Sequence, residues 1–203
     1  MKKFVFNFLS LIFHPIFMPL YGILLITNLN EHVSIMTIEL KKILLINTLI
    51  FTVLIPLFIY FLLYFIEFTK ILKFDLITRR KILILLSFFS FYTAYVLINK
   101  IGISRIYPIF ILSVAYSSLI IYLVNNFIKI SFHACGISGI LALLLFLAIK
   151  LKIDTLAFIV MNIFIISLLF ISRVGLKAHT TGEYIAGVII GFLSVFIFMN
   201  IIS

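Results

Sequence analysis

A single cysteine, Cys135, and a shortage of charge set the first limits on this chain. One thiol excludes an intrachain disulfide and any cysteine-based metal cluster. Only 6 of the 203 residues are Asp or Glu, and they are dispersed, so no carboxylate cage for a metal ion is expected. No glycine-rich phosphate loop of the P-loop kind occurs. No internal repeat of fixed period interrupts the sequence, and nothing is low-complexity beyond the apolar bias. A basic stripe with interleaved aromatics is also missing outside the apolar runs, which argues against nucleic acid as a partner.

What remains is mostly hydrocarbon. The chain is 65% hydrophobic and 11% charged, with 24 phenylalanines that read as lipid-facing filler. A bilayer-spanning helix needs about 20 apolar residues. The sequence offers a first run from Met1-Lys2-Lys3 to about Ile26, then Ile43–Phe68, Ile82–Ile98, Tyr107–Phe127, Gly136–Ile149, Leu156–Ile171 and Tyr184–Ile202. That predicts an all-α polytopic membrane helix bundle, one domain over residues 1–203, with about seven helical segments. These runs do not alternate polar and apolar residues, which excludes a lipid-facing barrel. The first run has no small-residue cleavage site and is read as retained, kinked or re-entrant at Pro15 and Pro19. A net charge of +10 suits anionic lipid headgroups. The bilayer is the expected partner, and a bacterial cytoplasmic membrane the expected location.

The polar junctions fall into two sets. Lys70 to Lys81, Asn125 to His133 and Ser172 to Glu183 form one; Asn28 to Lys42, Lys100 to Arg105 and Lys150 to Asp154 form the other. If each run crosses once, the sets lie on opposite faces, and every motif-like cluster lies on one face. Charge costs free energy at membrane depth, so such clusters are read as functional. Counting Lys and Arg on the two faces does not fix the orientation, because most of the excess belongs to the clusters themselves.

The densest cluster is Ser172-Arg173, five residues, His179, three residues, Glu183. A guanidinium grips two phosphate oxygens with its planar fork. An imidazole is nucleophilic at neutral pH, and a carboxylate on its other nitrogen fixes the tautomer. His179 and Glu183 are four apart and meet on one face if the last helix starts at Thr180. A second cluster is Ser131-Phe132-His133, preceded by Ile130; a third is Lys73, six residues, Arg80 and Lys81. Arg79 is an equally good phosphate ligand by charge. His14, before Pro15, reads as a hydrogen bonder at a kink. Gly187 and Gly191 form a GxxxG that admits a neighbouring helix, and Gly136 and Gly139 either do the same or leave backbone room near a phosphate.

The first of these clusters resembles the third motif of the type 2 phosphatidic acid phosphatase family, SRxxxxxHxxxD, with Glu183 in place of Asp. The second resembles that family's Pro-Ser-Gly-His, with Ile130 and Phe132 replacing proline and glycine. The third resembles KxxxxxxRP, with Lys81 in place of proline. The matches occur in the family's order. The resemblance implies the family's helix bundle over roughly residues 70–203. It implies a metal-independent, cofactor-free phosphatase acting on a lipid phosphate ester or diphosphate through a phosphohistidine. It implies His179 as nucleophile, Glu183 as its orienting carboxylate and His133 as general acid, with Arg173, Arg80, Lys73, Ser131 and Ser172 holding the phosphate. In this setting Cys135, two residues after His133, is expected beside the pocket near the membrane surface, open to a polar thiol reagent. The alternative is a non-catalytic relative that binds or transports a lipid phosphate.

Overall fold

The computed structural model describes residues 2–29, 36–69 and 75–202, and all regular structure in them is helical. Nine α-helices follow in order among these residues: α1 Lys2–Ile12, α2 Met18–Leu29, α3 Ile38–Leu49, α4 Ile55–Phe68, α5 Leu76–Lys100, α6 Ile106–Val124, α7 Phe132–Leu151, α8 Leu156–Gly175 and α9 Thr181–Ile202. They make seven segments long and apolar enough to cross a membrane, because α1–α2 and α3–α4 are each one interrupted segment. The chain is an all-α integral membrane protein.

Each interruption has a proline behind it. In the first segment α1 stops at Ile12, and a short 3-10 turn, Pro15–Phe17, leads into α2. Pro15 disfavours helical geometry at His14, which is extended at φ −66°, ψ 135°. The expected kink is therefore a complete break. In the second segment a π turn, Ile50–Leu54, precedes Pro56. The Pro56 ring conflicts with the carbonyl four residues back, so the helix widens there. The amide of Ile55 bonds to Ile50 O, five residues back. Phe51 O is thereby released, and the Ser90 hydroxyl of α5 donates to it.

Most helices extend past the apolar runs, although α6 stops at Val124, short of Phe127. The runs mark the hydrocarbon layer, but helical hydrogen bonding continues into the polar interface. Thus α7 starts at Phe132 rather than Gly136, α9 at Thr181 rather than Tyr184, and α8 runs on through Ser172 and Arg173. This places the polar clusters on helix ends.

Helices α6 and α7 form the centre: 67% and 61% of their most apolar windows are buried in the protein, against 17–33% for the other five segments. Tyr107, Phe110, Leu143, Leu144 and Leu147 fill the space between them and their neighbours. Small residues allow α9 to lie against α7. A methyl added at Gly191 would run into the Cys135 backbone, and one at Gly187 would lie 2.8 Å from Ser131 O. The GxxxG is thus a packing face. Gly136 and Gly139 serve packing as well, with Met18 and Val195 against them.

Candidate functional site

The α6–α7 connection, the α8–α9 connection, the start of α5 and the broken first segment meet at one end of the bundle. The α8–α9 connection is shaped by backbone chemistry. Lys177 adopts a left-handed conformation, φ 55°, which turns the chain sharply. The amides of Ala178 and His179 then both donate to Arg173 O, at 3.0 and 3.4 Å. Five intervening residues are what this reversal uses, and it brings His179 back beside Arg173.

His179 Nδ1 lies 2.9 Å from Glu183 Oε2. A carboxylate only accepts, so Nδ1 carries the proton and Nε2 keeps its lone pair. Nε2 has no hydrogen-bond partner among the described residues. The pair forms differently from the expected helix-face contact. Helix α9 starts after His179, and Thr180 and Glu183 make a capping box. Glu183 N donates to Thr180 Oγ1 at 3.2 Å, and Thr180 N donates to Glu183 Oε2 at 3.2 Å. Glu183 is therefore held by the cap and the imidazole together. Burial pushes the His179 pKa below its ordinary 6.5; the Glu183 hydrogen bond pulls it back up, and nearby Lys129 and Arg173 lower it further.

The second cluster is tied to the same place. Ser131 N donates to Glu183 O at 3.3 Å, and Lys129 Nζ donates to Ala178 O at 3.2 Å. His133, in the first turn of α7, bonds through Nε2 to Ser10 O of α1 at 3.0 Å, so Nε2 is the protonated nitrogen. Arg173, His14 and His179 all act electrostatically on it. Arg173 Nη1 donates to Ser10 Oγ at 3.4 Å. Ser172 is fully buried, with its hydroxyl on Phe6 O and Ser10 Oγ. Its role is to dock α1 onto α8.

The two neighbouring arginines separate cleanly. Arg79 pairs with Glu67 at 2.8 Å and faces the Tyr60 ring. Arg80 turns inward, donates to Ile130 O and lies 4.1 Å from the centre of the Phe132 ring, within electrostatic reach of Glu183. Lys73 lies outside the described residues. The structure thus brings together His179, Glu183, His133, Ser131, Ser172, Arg173 and Arg80. Three buried side-chain atoms there have no partner among the described residues: Arg80 Nε, Arg173 Nε and Ser131 Oγ. Among the described residues no three His, Cys, Asp or Glu side chains group as metal ligands.

Two residues of the cluster were missed and one was misplaced. His14 was read as a kink residue. It does cap the 3-10 turn, with Ile16 N donating to Nδ1 at 3.4 Å, but its ring also packs edge-on against His133 at 5.4 Å. Ser10 gave no signal, since one serine in an apolar run is unremarkable, and the cluster therefore draws on residues outside 70–203. Cys135 is 5% exposed rather than open at the surface, because the close approach of α9 at Gly191 covers it.

These features define a membrane helix bundle with a buried cluster of histidines and cations at one end. No family model, curated protein or solved structure matches the chain.

Proposed function

We propose that this protein hydrolyses a lipid phosphate ester or diphosphate by way of a phosphohistidine on His179, without a metal ion. One observation carries the reading: among the described residues His179 Nε2 has no partner while Glu183 holds Nδ1, in the same cluster as two arginines whose buried Nε donors are likewise unpartnered. A buried unpaired donor costs about 1–3 kcal/mol, and a multiply charged anion would satisfy both arginines and Ser131. The order and spacing of the three clusters, which resemble the type 2 phosphatidic acid phosphatases, point the same way.

In this reading Nε2 attacks phosphorus and the bond from phosphorus to the leaving oxygen breaks. Arg173 and Arg80 carry the charge that gathers on the other phosphoryl oxygens. With a phosphate anion bound beside Arg173, His133 takes up a second proton; as an imidazolium it then gives its Nε2 proton to the leaving oxygen, exchanging the Ser10 carbonyl for it, and is left neutral. Water then attacks the phosphohistidine, releases inorganic phosphate and returns the lone pair to His179; its proton restores His133.

The test is turnover of a panel of lipid phosphates by the purified protein, with and without chelator. His179→Ala should lose about four decades of rate or more. Activity retained by that variant sinks the nucleophile assignment. A non-catalytic lipid-phosphate binder is the second reading. The commitment of Arg80 and His133 to backbone carbonyls favours it. It predicts saturable binding of the same lipids with no release of phosphate.

A further inference from the structure

Beside the polar cluster lies a cavity of about 560 Å³, within the range of about 300–1,000 Å³ usual for small-ligand sites. His14, Phe132 and Cys135 line its end nearest the cluster. From there it follows α7 past Gly136 to Ile140, while Phe91 of α5 and Phe110 of α6 form deeper walls. Phe132 to Ile140 is about 12 Å of helix at 1.5 Å per residue, close to half of a hydrocarbon layer about 30 Å thick. The cavity therefore has the depth of one leaflet.

Its walls offer a ligand almost nothing polar away from the His14 end. The serine hydroxyls that line it are already committed: Ser87 to Leu83 O, Ser117 to Ser194 and Ser118 to Ala115 O. The Tyr60 hydroxyl has no partner among the described residues, and its ring lies 6.0 Å from Arg79. Among the described residues cationic charge stands at the near end, with Arg80 over Phe132 and Arg79 at Tyr60. His14 stands at that junction. Its Nδ1 accepts from Ile16, so Nε2 carries the proton, and that donor has no partner among the described residues. An apolar shaft with donors at one end matches a molecule with an anionic head and a hydrocarbon tail. At about 560 Å³ the cavity has the space of a single small-ligand site, which suits one hydrocarbon chain.

We infer that this cavity binds a single hydrocarbon chain of a phosphate-headed lipid, with His14 contacting the headgroup where chain and phosphate meet. The inference rests on the cluster being a phosphate site. It assigns the proline-broken first segment to the substrate site and gives His14 a binding role that its kink does not require.

The chain has no tryptophan, so one can be introduced as the sole indole reporter. Phe91→Trp puts it in the cavity wall, and Val114→Trp is a second cavity reporter should the first disturb folding. Phe61→Trp, on a surface 63% exposed, reports bulk lipid. Each is made on a His179→Ala background to prevent turnover. The probe is a single-chain phosphate lipid brominated along its acyl chain, set against the same brominated chain under a choline headgroup. Quenching of the cavity reporters should saturate at low mole fraction with the phosphate lipid, while that of Phe61→Trp rises in proportion to bulk lipid and ignores the headgroup. His14→Asn should weaken the saturable phase about tenfold, the loss of one hydrogen bond to a charged group. Cavity reporters that quench like Phe61→Trp overturn the chain site, and unchanged affinity in His14→Asn overturns the role of His14. Saturable quenching, together with no phosphatase turnover by the protein that keeps His179, removes the enzyme reading and leaves the chain site standing. Turnover without saturable quenching does the reverse.

Discussion

At the scale of single residues, the titration of His179 gives the sharpest check. Its pKa is held below 6.5, chiefly by burial, so its neutral, nucleophilic form persists below that pH. The acid limb of kcat/KM should therefore have its midpoint below pH 6.5. Glu183 acts in the opposite direction, raising the value. In Glu183→Gln the acid limb should move to still lower pH while the plateau rate falls, because the imidazolium loses its counter-charge. Glu183→Asp should keep substantial activity. A pH–rate series on the three proteins checks both statements; an acid limb that does not move in Glu183→Gln would separate the carboxylate from His179. The pairing itself was legible, since a histidine and a carboxylate four apart beside an arginine stand out in an apolar chain. Its means was not: the capping box at Thr180, rather than a shared helix face, holds Glu183. His14 and Ser10 were illegible for a plain reason. They meet His133 across more than a hundred residues, and sequence spacing carries no information about such contacts.

At the scale of elements, the close approach of α7 and α9 sets the width of the site, because Ser131 and Glu183 bond across it. Gly191→Ala would push a methyl into the Cys135 backbone. It should cost about 1–3 kcal/mol and loosen the site, since a backbone cannot yield as a side chain can. Gly182→Ala, in the first turn of the same helix, meets nothing within 4 Å and should leave stability nearly unchanged. Thermal unfolding in detergent, with both variants side by side, tests the contrast. The GxxxG could be read in advance because two glycines one turn apart mark a helix face. Helix boundaries could not, because hydropathy marks where hydrocarbon ends and not where helical hydrogen bonding ends. Most of the differences in helix ends fall in the polar first and last turns, which is where His133, Arg80 and Arg173 sit.

At the scale of the molecule, gathering the connections after α6 and α8 at one end fixes a topology that can be measured. On a Cys135→Ala background, Phe127→Cys and Lys100→Cys place thiols on exposed residues at opposite ends of the bundle. A membrane-impermeant maleimide should label one from outside in sealed vesicles and the other only after permeabilisation. Labelling of both from the same side would break the arrangement. Cys135 itself should stay unlabelled from either side until the protein is unfolded, since it is buried against α9. The number of segments and their lipid-facing nature were legible from hydropathy alone, because a bilayer demands long apolar runs whatever the fold. The central place of α6 and α7 was not, as lipid and protein interior favour the same residues.

The π turn before Pro56 makes one stretch of this chain sensitive to counting rather than to chemistry. It accommodates one residue more than an ordinary helix would hold between α3 and α4. The π turn takes up that residue locally and keeps α4 in phase with α3. One further residue inserted in Ile50–Leu54 would have no such turn to absorb it, and everything from Ile55 onward would swing by about 100°. Pro56 and Leu63 would leave the interior, and Glu67 would turn away from Arg79. The π turn works as a phase absorber that keeps one side of a long lipid-facing rod against the bundle. Apolar exchanges at the outward positions of this stretch should therefore matter little, whereas gaining one more residue should misdirect the whole of α4.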